Sequence, residues 1–317
     1  MSNPAFHGYI GQRPEVQYLR RLIEGAKLKG QPTPNILLAG GSGLGKTALA
    51  KALAKEYGTD CRIICSNADF DAINLSDFCL EWKACDFILV DEAHTLTRSI
   101  QELLYRIIDE RIGPKASQPF DGPRRQIVGT QPVPEITLIF ATDQPGKLLP
   151  ALKKRINEIR TLLPYTITEL IDITQKIAIE FEILLTAQSA RMIADSARGT
   201  PRLARHLLNS LGKYFAAMPP EVYQKPHVRA FLRKRGIDRH GLGVVDRKYL
   251  EILRSSNQIH MSLQAISSML RCDRGFIAHD IEPWLIENGY IFIEQKRRSI
   301  TEKGRDSIAI NLEGDRQ

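Results

Sequence analysis

The chain has 317 residues, 43% of them apolar and 25% charged, with a net charge of +8. This composition fits a globular protein of two or three domains and excludes collagen, coiled coil and wholesale disorder. No apolar run is long enough to cross a bilayer, which speaks against an integral membrane protein. Residues 1–11 carry no basic cluster followed by an apolar stretch, so no signal peptide is read there and the cytoplasm is the expected location. The basic surplus is uneven: between Lys225 and Arg305 there are 16 Lys and Arg against 9 Asp and Glu. A localised surplus points to an anionic partner, most often nucleic acid, with a solvated basic face as the competing reading. The five cysteines, Cys61, Cys65, Cys79, Cys85 and Cys272, lack zinc-ligand spacing and read as reduced thiols of a cytosolic protein.

Along residues 1–163, short apolar runs alternate with helical patterns. Runs at 35–39, 62–65, 87–90 and 136–141 predict four buried strands, and the patterns at 14–29, 46–57 and 99–111 predict helices. The alternation implies an α/β doubly wound parallel sheet. Residues 112–134 break it with five prolines and three glycines and read as an exposed loop or hairpin insertion. Residues 164–238 hold three helical patterns, 168–182, 186–198 and 201–218, which predict a small helical domain. From 239 to 317 the pattern changes again. Helices at 246–254, 262–270 and 273–288, then strands at 290–293 and 299–301 around a basic turn from Gln295 to Arg298, predict a winged helix-turn-helix. In that turn Lys296, Arg297 and Arg298 are expected to project together into solvent and to touch DNA phosphates without reading bases.

The segment Gly40-Gly41-Ser42-Gly43-Leu44-Gly45-Lys46-Thr47 fits G-x-x-x-x-G-K-[ST] throughout and joins a predicted strand to a predicted helix. Glycines let backbone N–H groups close on phosphates, and the helix N-terminus adds positive potential. Lys46 is placed to reach the β- and γ-phosphates of ATP, and the Thr47 hydroxyl to ligate Mg²⁺. The run 87–90 ends in Asp91-Glu92, two carboxylates at the carboxyl edge of a sheet, where such folds bind ligands. Asp91 is expected to hold Mg²⁺ and Glu92 to polarise the attacking water. The run 136–141 ends in Thr142-Asp143-Gln144, where a polar side chain could hold that water or meet the γ-phosphate.

With these residues in view, the chain resembles the AAA+ ATPases, and more closely the RuvB-like family of Holliday-junction branch-migration motors. The resemblance runs from Tyr9 to about Gly304. Tyr9-Ile10-Gly11-Gln12 is similar to the family's nucleotide-base segment, and Asp91-Glu92-Ala93-His94 to its metal and water site. Leu152-Lys153-Lys154-Arg155 resembles the segment that ends in its arginine finger, and Gly199-Thr200-Pro201-Arg202 its sensor-2 helix. Ile281-Glu282-Pro283-Trp284-Leu285-Ile286 resembles part of its winged-helix domain. The resemblance implies an AAA+ domain at 1–163, a helical lid at 164–238 and a winged-helix DNA-binding domain at 239–317. It implies a nucleotide pocket of Tyr9, Ile10, Gly40, Gly43, Leu44, Gly45, Lys46, Thr47, Ala48, Asp91, Tyr165, Pro201 and Arg202. Glu92, Asp143 and Arg155 are the implied catalytic group, with Arg155 acting on a neighbouring subunit's γ-phosphate. Asp109 and Glu110 match a stretch that faces the nucleotide across a subunit boundary.

The chain departs from the family in three places. Asp143 stands where the family has Thr or Asn, which implies slow hydrolysis because a carboxylate repels the γ-phosphate. The sequence of 112–137 differs from the family's hairpin for its RuvA-like junction-binding partner. In the wing, one family arginine falls at Ile293 and the other at Arg298. The expected activity is an ATP-driven hexameric DNA motor of recombination and repair, with duplex or junction DNA as partner. Two other readings stand beside it: a non-motor AAA+ loader or mobile-element regulator, and a nucleotide-regulated transcription factor built on the winged helix.

Overall fold

The computed structural model describes residues 6–66, 69–117, 125–256 and 260–309. The chain divides into two units, residues 1–173 with 200–202, and residues 174–199 with 203–317. The first unit begins with α1 (Arg13–Leu28), which buries Val16, Leu19, Ile23 and Ala26 along one stripe. Then follow β1 (Ile36–Ala39), α2 (Lys46–Tyr57), β2 (Cys61–Cys65), α3 (Ala72–Glu81), β3 (Phe87–Asp91) and α4 (Arg98–Glu110). A hairpin of β4 (Ile112–Ala116) and β5 (Ile127–Pro132) precedes β6 (Thr137–Thr142), α5 (Pro150–Lys153) and β7 (Glu158–Thr161).

Five strands form one parallel sheet in the order β2-β3-β6-β1-β7. The four residues of β1, the first four of β3 and all six of β6 are buried, as continuous apolar strands covered on both faces must be. Register brings Ala39 opposite Thr142 and Cys65 opposite Asp91, so the residues that follow β1, β3 and β6 meet at one edge of the sheet. The α/β sheet with parallel strands is the architecture that the alternation predicts.

Three elements of this unit, β7, α3 and the four-residue α5, carried too weak a pattern to be read. In β7 the sequence Glu-Ile-Arg-Thr alternates between half-buried and exposed positions, at the edge of the sheet beside β1. Helix α3 starts from a capping box, in which Asp71 accepts from Ile73 and Asn74 while Asn74 accepts from Asp71 N–H. Strands β4 and β5 do pair antiparallel, with Gly113 seated on Cys79 and Val133. Pro119, Gly122, Pro123 and Arg124, read above as part of this insertion, lie outside the described residues.

Helix α6 (Ile167–Glu180) begins where Thr166 and Glu169 cap each other. In the second unit α7 (Ala187–Ser196) is capped by Thr186, and α8 (Pro201–Tyr214) buries Ala204, Leu207, Leu208 and Leu211. A fourth helix, α9 (Lys225–Lys234), adds to the three expected. Four of its ten residues are Lys or Arg and its buried residues are Val228, Phe231 and Leu232, too narrow a stripe to read in isolation.

The rest of the unit is α10 (Val244–Ser255), β8 (Met261–Ser262), α11 (Leu263–Leu270), α12 (Arg274–Phe276), α13 (Glu282–Glu287), β9 (Ile291–Glu294), β10 (Arg297–Ile300) and α14 (Glu302–Ala309). A π-helical turn, Ile277–Ile281, joins α12 to α13, so the third predicted helix is one helix with a wide turn inside it. The small sheet runs β8-β10-β9, antiparallel. Tyr249, Leu250, Ile266, Ile277, Leu285 and Ile291 form its core. This is the winged helix-turn-helix expected from the sequence. No helix among the described residues is long and apolar enough to cross a membrane.

Candidate functional site

The loop between β1 and α2 requires glycine for reasons of space as well as backbone angle. Gly43 has φ +81°, and a Cβ there would lie 2.8 Å from Arg202 Cβ. Gly45, φ +88°, is the residue before α2, and its Cβ position lies 3.1 Å from the Tyr165 hydroxyl and 3.3 Å from the Tyr9 ring. Both angles lie in the left-handed region that side chains avoid. The α2 N-terminus is left without a side-chain cap, so its N–H groups stay available to an anion.

Lys46 is buried at 7% exposure, and its Nζ donates to the carbonyls of Gly40 at 2.7 Å and Gly41 at 3.0 Å. Burial lowers the Lys46 pKa, and Glu92, Asp143 and Asp91 oppose that shift. The same four side chains therefore share one electrostatic field, with Arg202 adding positive charge to it. The Thr47 hydroxyl donates to Asp91 Oδ2 at 2.7 Å, closing the gap between the phosphate loop and the end of β3. Arg202 Nη1 donates to Ser42 Oγ at 2.5 Å and thus touches the tip of the same loop.

On the other flank Tyr165 donates to the Leu44 carbonyl at 3.0 Å and lies 2.9 Å from the Tyr9 hydroxyl. Burial pushes both phenols well above their ordinary pKa, so they stay neutral donors. The sequence readings for Tyr9, Gly40, Gly43, Leu44, Gly45, Lys46, Thr47, Asp91, Tyr165 and Arg202 thus fall on one cluster. Pro201 is the first residue of α8, next to Arg202, while Ala48 is exposed on α2 and Ile10 is half-buried beside Tyr9.

Glu92 leaves β3 with φ +52°, a strained angle for a glutamate. Ser66, just past β2, holds this turn: its hydroxyl donates to the carbonyls of Asp91 and Glu92. Thr95 donates to Ser66 O and Glu92 O, both at 3.0 Å. Neither was singled out in the sequence, since a lone serine after a strand carries no signal. His94 Nδ1 lies 3.2 Å from Thr142 Oγ1, 3.3 Å from Asp143 Oδ1 and 3.5 Å from Glu92 Oε2. Glu92, His94 and Asp143 are, among the described residues, the one group of three His, Cys, Asp or Glu side chains with ligating atoms all within 4.8 Å.

Arg155 follows α5 and is held by α4: its Nε donates to Asp109 Oδ2 at 2.6 Å, and its guanidinium lies 4.6 Å from the Tyr105 ring centroid. Asp109, read above as facing a neighbour's nucleotide, pairs with Arg155 in its own subunit.

The wing departs from expectation. Its turn is only Gln295 and Lys296, both at positive φ, as a two-residue hairpin requires. Arg297 and Arg298 lie in β10 and point to opposite faces. Lys296 and Arg297 are exposed. Arg298 is buried at 9% and donates from Nε and Nη2 to both oxygens of Glu282, at 2.8 and 3.0 Å. Tyr249 donates to the same carboxylate at 2.8 Å. The reading that Arg298 projects into solvent with its neighbours is therefore corrected: its guanidinium belongs to the winged-helix core. A neighbour in sequence gave no hint that Glu282 would accept it.

Comparison with known proteins agrees with this geometry. Family models described as the RuvB P-loop domain of a Holliday junction DNA helicase, the RuvB AAA lid domain and the RuvB C-terminal winged helix domain match residues 2–162, 165–238 and 239–309. A Campylobacter hominis protein named Holliday junction branch migration complex subunit RuvB is 31% identical over 96% of this chain and 89% of its own length. Its Wolinella succinogenes namesake is 30% identical over 96% and 90%. The solved Thermotoga maritima RuvB Holliday junction branch migration motor superposes with a TM-score of 0.79 at 26% identity over 97% of each chain. An Aeropyrum pernix ORC2 protein, at 15% identity and a TM-score of 0.54 over 91% and 89%, shares the fold.

Proposed function

The chain belongs to the RuvB family, and from that membership we propose that it is an ATP-driven DNA motor of the Holliday-junction branch-migration type, acting in recombination and repair in the cytoplasm. The observation that carries this reading is the meeting of Lys46, Thr47, Asp91 and Glu92 at the carboxyl edge of one sheet. Thr47 and Asp91 present hard oxygen donors side by side, the set that Mg²⁺ takes together with phosphate oxygens. Bound there, Mg²⁺ would supply charge neutralisation at the β- and γ-phosphates. Lys46 exchanges its carbonyl partners for phosphate oxygens, and Arg202 exchanges the Ser42 hydroxyl for them from the other flank. Tyr9, Tyr165 and the loop glycines shape the cradle around the nucleotide. Glu92 accepts the proton of the attacking water.

Arg155 completes a neighbour's site in a homo-hexameric ring. It offsets the charge that spreads over the γ-phosphate oxygens in the transition state. Lys296 and Arg297 contact DNA phosphates from the wing. The partners of this reading are junction or duplex DNA, further copies of the chain and a RuvA-like junction-binding protein, for which the β4–β5 hairpin is the offered surface. The domain limits proposed are 1–163, 164–238 and 239–317.

The test is ATP turnover with and without a mobile four-way junction. DNA should stimulate turnover, and the junction should be resolved into duplex arms only with hydrolysable ATP. Binding of junction DNA with no stimulation and no arm separation would favour the second reading, an ATP-switched loader, to which the carboxylate at Asp143 lends weight.

A further inference from the structure

Asp143 poses a chemical difficulty within the reading just given. It follows β6, whose two neighbours in the sheet are β1, which leads into the phosphate loop, and β3, which leads into Glu92. A carboxylate at that point adds a third negative side chain to Asp91 and Glu92 around Lys46. A triphosphate brings more negative charge to the same place, and like charges brought together oppose binding.

His94 occupies the space between these carboxylates. It lies in the short turn Ala93–Thr95, whose first residue is wholly buried and whose last is tied to Ser66 and Glu92. The imidazole is therefore carried on a fixed backbone, and its side chain is only 14% exposed. His94 Nδ1 lies 3.3 Å from Asp143 Oδ1 and 3.5 Å from Glu92 Oε2, within ion-pair reach of both. Thr142 Oγ1, at 3.2 Å, already accepts the Gln144 N–H at 2.9 Å, which fixes its orientation beside the ring. Such an arrangement does two things. It turns the Asp143 carboxylate toward the ring, and it ties Asp143 to the carboxylate that must face the attacking water.

We propose that His94 is the positioning residue that lets this chain hydrolyse ATP with a carboxylate at position 143. It holds Asp143 off the γ-phosphate and, through the shared nitrogen, sets the angle of Glu92. The inference rests on the ATPase reading, and its signature is selective. Loss of His94 frees Asp143 to repel the γ-phosphate, so ATP suffers and ADP does not.

The experiment compares the full-length protein with His94→Asn, Asp143→Asn and the double variant, with Mg²⁺ present. Affinities are measured for ADP and for a non-hydrolysable ATP analogue, and turnover is measured for ATP. His94→Asn should lower the ratio of ATP-analogue to ADP affinity at least about tenfold, and kcat by a similar factor. In the Asp143→Asn background the same change at His94 should leave the ratio within about twofold, because no charge remains to be held. Retained ADP binding shows that the pocket is folded, and His94→Gln serves as a second variant where Asn does not fold. An unchanged ratio in His94→Asn, or an equal fall in both backgrounds, would overturn the proposal. If the unsubstituted protein binds neither nucleotide, it is the ATPase reading that fails instead.

Discussion

Lys46 and Glu92 share one electrostatic environment, and substitution separates the roles proposed for them. Lys46 is buried and bonded to the loop's own carbonyls, so its charge is already desolvated and aimed before any phosphate arrives. Lys46→Ala should weaken ATP binding about 10- to 100-fold, the worth of one charge-assisted contact, as measured by nucleotide titration. Glu92 has no bond to the loop in this state and is half exposed. Glu92→Gln should bind ATP with nearly unchanged affinity and hydrolyse it at least about 100-fold more slowly. A Glu92→Gln protein that turns over ATP at the parental rate would remove Glu92 from the catalytic group.

Arg298 shows a different economy at the same scale. Its guanidinium and Glu282 form a two-pronged pair, at 11% and 4% side-chain exposure, with Tyr249 as a third partner. Removing one member strands a buried charge, which typically costs about 3–5 kcal/mol. Arg298→Ala should therefore unfold at markedly lower denaturant. Arg298→Ala paired with Glu282→Gln should recover part of the loss, since no unpaired carboxylate then remains.

At the scale of elements, the wing and α4 each carry side chains whose use depends on where the element stops. Two residues at positive φ end the wing's turn early, so Lys296 and Arg297 stay in solvent while Arg298 is drawn inward. Changing Lys296 and Arg297 to Ala should weaken DNA binding about equally for all sequences. The slope of log affinity against log salt should flatten by roughly one unit per lost phosphate contact. An unchanged slope would put the DNA path elsewhere. Helix α4 starts just after the Glu92 turn and ends beside Arg155, which Asp109 and Tyr105 hold in place. One element thereby runs from the carboxylate proposed to activate water to the arginine proposed to serve a neighbouring copy.

At the scale of the whole molecule, that proposal makes hydrolysis a property of the ring. Arg155→Ala should bind ATP almost normally and lose about 10³-fold in kcat. Mixed with Lys46→Ala protein it should regain activity, because some boundaries then pair an intact Arg155 with an intact phosphate loop. No recovery, in rings shown by native mass spectrometry to contain both chains, would argue against a shared site.

The sequence by itself determined the sheet domain, the phosphate loop, the acidic end of β3 and the winged helix. In each the signal is local: a buried parallel strand needs an unbroken apolar run, and a phosphate loop needs glycines at fixed spacing before a helix. It did not disclose β7 or α9, whose apolar residues are few, nor the short helices α3 and α5. Tertiary structure alone decided the partnerships between distant residues. Ser66 on the backbone of the Glu92 turn, and the side chains of Asp109 on Arg155, Glu282 on Arg298 and Asp143 on His94, each join groups brought together by different elements. A charged residue looks the same in a sequence whether water or a buried partner surrounds it. Only the packing that removes the water makes Arg298 a core residue and leaves Arg297 in solvent.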